Sequence, residues 1–200
     1  MSIEDSEPVK KMRKALKDAG LDDKVTVLDE PMESAATTAK VLDTEPGAIV
    51  QSLIFSIGKR MVQVLVAGDH GVIEANLPAA FFFEGDVRKP TAAEITGLTG
   101  FAADCVPPVG MAHPLPTLID RSLKRFNHLY ALAGDPQCVF RTTVTDLKRL
   151  TGGIVSYNIA EPLEGEVEIP RMSRTKTFTG ERAVDGVEGV EGAKSAKSAE

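Results

Sequence analysis

Along the first twenty residues apolar side chains return at helical spacing. Val9, Met12 and Leu16, with Ala15 beside them, form one stripe, and Gly20 follows where a left-handed C-terminal cap belongs. The spacing predicts a helix over 6–19. Val25 to Leu28 reads as a short strand and Ser34 to Leu42 as a small Ala/Thr helix. Beyond the break at Glu45-Pro46-Gly47, Ala48 to Ile57 is a long, unbroken β-branched run. The turn Gly58-Lys59-Arg60 joins it to Met61–Ala67, so the pair predicts a β-hairpin. Thr91-Ala92-Ala93-Glu94 has capping-box spacing for a short helix that Gly97 and Gly100 close. Asp69-His70-Gly71 reads as a turn. From Phe101 to Pro116 the pattern becomes irregular, with Pro107, Pro108, Gly110, Pro114 and Pro116; long stiff loops of this kind often carry function. Strands follow at Thr117–Asp120, His128–Ala133 and Val139–Thr142, then a helix over Thr145–Leu150 and a strand over Ile154–Ile159. Short strands mixed with short helices predict an α+β fold, a mixed and partly barrelled sheet flanked by short helices, over regular βαβ winding.

The composition narrows the class of protein. Two hundred residues suit one domain with a real core, here 1–170, and at 42% apolar and 26% charged the chain reads as globular. Beyond Ile169-Pro170 the segment 171–200 repeats small and charged residues without an apolar face, which predicts a flexible low-complexity tail. No run approaches the ~20 apolar residues of a membrane span, and the acidic start differs from a signal peptide, so a cytoplasmic location is expected. The net charge of −6 argues against coating nucleic acid by bulk electrostatics and leaves only local basic doublets such as Arg88-Lys89 and Lys124-Arg125. Cys105 and Cys138 stand far apart, with no disulfide or Cys-x-x-Cys pattern to join them.

Candidate chemistry is sparse. On the long strand Gln51 shares its face with Ile49, Leu53, Phe55 and Ile57, because side chains alternate at period two. A lone amide on an apolar wall needs a hydrogen-bond partner or an opening to water or ligand. Either Gln51 looks into a pocket, or Val50 and Ile54 face the core and Gln51 lies outside. His70, His113 and His128 lack metal-ligand spacing, so neither a metal nor a cofactor is expected. Cys105, His113 and Asp120 can be written as a nucleophilic trio, but nothing in the sequence activates the thiol.

The order of these segments resembles the YbaK/ProX family of aminoacyl-tRNA editing domains. The run Pro46-Gly47-Ala48-Ile49-Val50-Gln51-Ser52-Leu53-Ile54-Phe55 is similar to the family's "pGqivKsLvf" strand. Ala67-Gly68-Asp69, Arg88-Lys89, Thr99-Gly100-Phe101, Val106-Pro107-Pro108-Val109-Gly110, Leu118-Ile119-Asp120, Ala133-Gly134 and Leu150-Thr151-Gly152 follow in family order, over about Ser34 to Ile159.

The resemblance implies a deacylase that hydrolyses the ester of a tRNA mischarged with a small amino acid, of the Cys-tRNA(Pro) or Ala-tRNA(Pro) type. Its expected partners are the tRNA acceptor end and a prolyl-tRNA synthetase. An aminoacyl ester is already activated, so such a domain has only to seat the side chain, place a water and direct donors at the developing oxyanion. The family's lysine falls at Gln51, which makes Gln51 the expected catalytic residue, orienting the ester. Asp104, where the family's loop opens with glycine, together with Val106, Pro107, Pro108 and Gly110, is expected to shape the substrate loop, and Gly134 to allow close substrate approach. Lys40 is a candidate stand-in for the missing charge. The alternative is a family member that has lost hydrolysis and binds a tRNA, a synthetase or a small ligand.

Overall fold

The computed structural model describes residues 3–21 and 25–164. The expected tail at 171–200 lies outside the described residues. Helix α1 (Glu7–Asp18) buries Val9, Met12 and Leu16, the stripe read from the sequence. It ends in a Schellman turn: Gly20 at φ +66° donates to Lys17 O, and Leu21 donates to Leu16 O. Strand β1 (Val25–Val27) follows. Helix α2 (Ala35–Val41) starts at a reciprocal capping box between Ser34 and Thr37.

The hairpin forms as the pattern predicts, with β2 (Ile49–Ile57) paired to β3 (Arg60–Ala67) from Val50↔Ala67 to Ile57↔Arg60. The expected turn at Asp69-His70-Gly71 falls earlier. Gly68 and Asp69 make the reversal, and His70 and Gly71 already belong to β4 (His70–Val72). Helix α3 (Leu77–Phe81), strand β5 (Val87–Arg88) and helix α4 (Ala92–Thr99) come next. The Thr91–Glu94 capping box opens α4, and Gly100 at φ +77° closes it, while Gly97 stays inside the helix. After the proline-rich loop come β6 (Thr117–Asp120), β7 (Leu129–Leu132), β8 (Cys138–Thr142) and α5 (Val144–Thr151). The last expected strand divides into β9 (Ile154–Ser156) and, after a turn at Tyr157-Asn158, β10 (Ala160–Pro162), which pairs with β4.

Among the described residues the main sheet runs β1-β8-β7-β2-β3-β6-β9, with β5 on the far half of β2. Contacts β2·β7, β3·β6 and β6·β9 are parallel, the others antiparallel, giving the mixed sheet expected. Both faces are covered. Val50, Leu65, Ala67 and Ile119 pack with α1 and Phe140 on one side, while Phe55, Ile57, Val62, Val64 and Leu118 pack with Leu77 and Phe81 on the other. This explains why the long strand is apolar on both faces.

Candidate functional site

Strand β2 is sealed along one edge and broken along the other. β3 lines the first edge throughout, whereas the second is shared by β7, which pairs with Ile49 and Val50, and β5, which pairs with Ser56 and Ile57. Between them residues 51–55 have no strand partner on that side among the described residues. Backbone groups on such an edge need water or a ligand. A cavity of about 380 Å³ opens against this stretch; small-molecule sites run roughly 300–1,000 Å³.

The cavity has two unlike walls. Ser52 and Ile54 carry one, with Ile95 and Ala103 against them; Ile54 and Ile95 rest on Phe101 and Val106. Leu53 and Phe55 carry the other with Val72 and Glu74. Lys89 and Pro90 complete the lining, and Lys89 Nζ lies 3.2 Å from Glu74 Oε1. The residues offer apolar surface for a small side chain, one hydroxyl, a free strand edge and one cation paired with one carboxylate.

Gln51 is half-buried, between the two placements left open by the sequence. Its Nε2 donates to Gly68 O at 3.3 Å, and it is absent from the cavity lining. The fully buried amide of this region is Gln63 on β3. Its Nε2 donates to Ser52 Oγ at 2.8 Å and to Pro107 O at 3.2 Å, and its Oε1 accepts from Thr117 Oγ1 at 3.0 Å. The alternation argument applied to Gln51 also singles out Gln63, since Met61, Gln63, Leu65 and Ala67 share a face of the second strand.

The proline-rich loop borders this site through Ala103. Asp104 is exposed; Val106 is buried against Ile54 and Phe101; Pro107 is buried and accepts from Gln63. Pro108 and Gly110 line a separate hollow of about 70 Å³ with Gln63 and Thr117. Gly134 serves packing in this structure: at φ +89°, an added Cβ would stand 2.8 Å from Phe101 Cε1 and 3.1 Å from Pro8 O. Lys40 is exposed on α2 and outside the lining, whereas Lys89 is the cation at the cavity.

Beneath β4 the turn is held by charge. Arg125 Nη2 donates to both oxygens of Asp69, at 2.6 and 2.9 Å, and His70 Nδ1 lies 2.7 Å from Oδ1. Burial acts to raise the Asp69 carboxyl, but the bonds from Arg125 and His70 outweigh it and hold the group below its usual range. At Cys105 burial, followed by the neighbouring Asp104 carboxylate, pushes the thiol up to about 12. That is the opposite of an activated nucleophile. His113 is exposed, and Asp120 is buried with Oδ1 accepting from the Ser122 amide.

The described residues form a mixed α+β domain with a hollow against an unpaired strand edge, and the sequence places the chain in a family. The chain belongs to the aminoacyl-tRNA editing domain family, whose match covers residues 29–150. It is 23% identical to the uncharacterized protein YwhH of Bacillus subtilis (strain 168) over 141 residues, 70% of this chain and 88% of that one. The crystal structure of a proposed trans-editing enzyme for prolyl tRNA synthetase superposes with a TM-score of 0.72 at 32% identity, covering 77% of this chain and 98% of that one. The hypothetical protein APE2540 shares the fold, with a TM-score of 0.67 at 24% identity over 76% of this chain and 99% of that one.

Proposed function

We propose that the chain is an aminoacyl-tRNA deacylase that clears a small amino acid, alanine or cysteine, from tRNA(Pro), beside a prolyl-tRNA synthetase in the cytoplasm. The observation that carries this reading is the cavity at the unpaired edge of β2, inside the segment that matches the editing family. Likeness to the proposed trans-editing enzyme supports the choice of tRNA(Pro). In this reading the amino acid side chain rests against Leu53, Ile54, Phe55 and Val72, the acyl oxygen meets donors from the strand edge, and Lys89 faces the phosphates of the acceptor end. Water attacks the acyl carbon and the ribose hydroxyl leaves. The Gln51 amide, bonded to Gly68 O in the turn after β3, ties the start of β2 to that turn and so helps to orient the ester.

A second reading, a binding module without turnover, is favoured by one observation. Gln51 is neutral and hydrogen-bonded where the resemblance calls for a lysine. Deacylation of a panel of mischarged tRNAs by wild type, Gln51→Ala and Gln51→Lys separates the two. The enzyme reading expects wild type to turn over Ala-tRNA(Pro) or Cys-tRNA(Pro), and Gln51→Ala to fall about tenfold or more. An inert wild type beside an active Gln51→Lys establishes the binding module; the gain expected from a charged oxyanion donor is roughly 10²–10³ in rate.

A further inference from the structure

Gln63 is a costly residue to place at full burial in a strand whose neighbours Val62, Val64 and Leu65 are all apolar and fully buried. Its amide is also fixed in direction. Pro107 O can only accept, so Nε2 faces it at 3.2 Å and Oε1 is left facing the Thr117 hydroxyl, whose single proton it shares with Leu115 O, at 3.0 and 2.9 Å. The second Nε2 proton then points at Ser52 Oγ, 2.8 Å away. A serine hydroxyl has one proton and two lone pairs. With a lone pair occupied by Gln63, the Ser52 proton has no acceptor among the described residues, and Ser52 lines the 380 Å³ cavity.

We infer that Ser52 is a hydrogen-bond donor to the acyl oxygen of the bound aminoacyl ester, and that Gln63 is the positioning residue that turns its proton into the cavity. This rests on the deacylase reading for its substrate class. The chain Pro107–Gln63–Ser52 also connects the proline-rich loop to the cavity: the loop acts here through a carbonyl that orients Gln63. Were Gln63 only a pin between sheet and loop, its bonds to Pro107 and Thr117 would suffice, and losing the Ser52 hydroxyl would cost the reaction nothing.

The test is steady-state deacylation by the 200-residue chain, together with calorimetric binding of a non-hydrolysable probe, 3′-alanylamino-3′-deoxyadenosine. Ser52→Ala leaves the Gln63 bonds to Pro107 and Thr117 in place; its kcat/KM is expected to fall at least tenfold, and Ser52→Thr to recover most of the loss. Gln63→Glu offers Ser52 a carboxylate acceptor that draws the proton out of the cavity, so it is expected to match Ser52→Ala, with the double variant no worse than either. Gln63→Met keeps the volume and serves if the buried carboxylate prevents folding. Full activity in Ser52→Ala, or additive losses in the double variant, overturns the inference and leaves the deacylase reading intact. If wild type hydrolyses none of the tRNAs, that reading falls, and the probe decides the inference: tenfold weaker binding by Ser52→Ala upholds it, while equal binding, or no binding by wild type, overturns it.

Discussion

The two walls of the cavity are built from different materials. The wall through Ser52 and Ile54 stands on buried Phe101 and Val106, and its one hydroxyl, Ser52, accepts from Gln63, which Pro107 and Thr117 hold in turn. The wall through Leu53 and Phe55 is completed by Val72, at the end of a three-residue strand, and by Glu74 beyond that strand, whose charge is met by Lys89, a side chain 76% exposed. A close-packed wall holds geometry, since interior side chains cannot shift without leaving voids. An ion pair in water can open and exchange partners at little cost. One wall is therefore suited to orienting an ester, the other to admitting and releasing a charged ligand.

The largest expected effect comes from undermining the packed wall. Phe101 is 1% exposed and supports Ile54 and Val106. Phe101→Ala is expected to destabilise by about 3–5 kcal/mol, the range for emptying an aromatic core site. Urea unfolding measures it. A loss near 1 kcal/mol would mean that the wall collapses into the space and is less rigid than its packing implies.

An intermediate effect is expected at the root of the charged wall. Asp69 fixes the turn into β4 through Arg125 and His70. Its carboxyl is held below the ordinary value, so the stabilisation it supplies is complete above the unfolded-state pKa of about 3.9 and is lost as pH falls through the lower folded value. Asp69→Asn is expected to cost about 1.5–3 kcal/mol at neutral pH, as for hydrogen bonds to charged groups. The gap between wild type and variant should close below pH 4. Unfolding midpoints from pH 7 to pH 3 check this, and a gap constant across that range would place the stabilisation elsewhere.

The same contrast governs what could be read in advance. α1, α2, β2, β3 and α4 carry their own signals: a 3.6-residue stripe, an Ala/Thr run, a long apolar run, a capping box and a glycine stop. The elements of the charged wall carry none. Strand β4 exists because β10, some ninety positions later, pairs with it, and β5 is two residues laid on the end of β2. The family and the sheet were legible because they rest on β2 and its neighbours. The site was half legible: alternation correctly demanded partners for an amide on an apolar strand face, but it applies equally to Gln51 and Gln63, and only the pairing register shows which one reaches Ser52. Gly134 reads as a site residue in sequence, yet its neighbours are Phe101 and Pro8, a contact that no local pattern encodes.

The smallest effect on stability, and the sharpest division between the walls, is expected from the Glu74–Lys89 pair. Both side chains are substantially exposed, at 40% and 76%, so breaking the pair by Lys89→Ala or Glu74→Gln should cost less than about 1 kcal/mol. Their effects on tRNA should be opposite. Lys89→Ala removes a cation facing the acceptor end, so KM for mischarged tRNA rises severalfold and the salt dependence of binding loses about 0.7–0.9 in slope, one phosphate contact's share. Glu74→Gln removes the carboxylate that competes for the same ammonium, so KM falls. Fluorescence binding titrations at several salt concentrations read both. If the two variants weaken binding together, the pair acts as a fixed part of the wall, and the division between a packed side that orients and a charged side that exchanges does not hold.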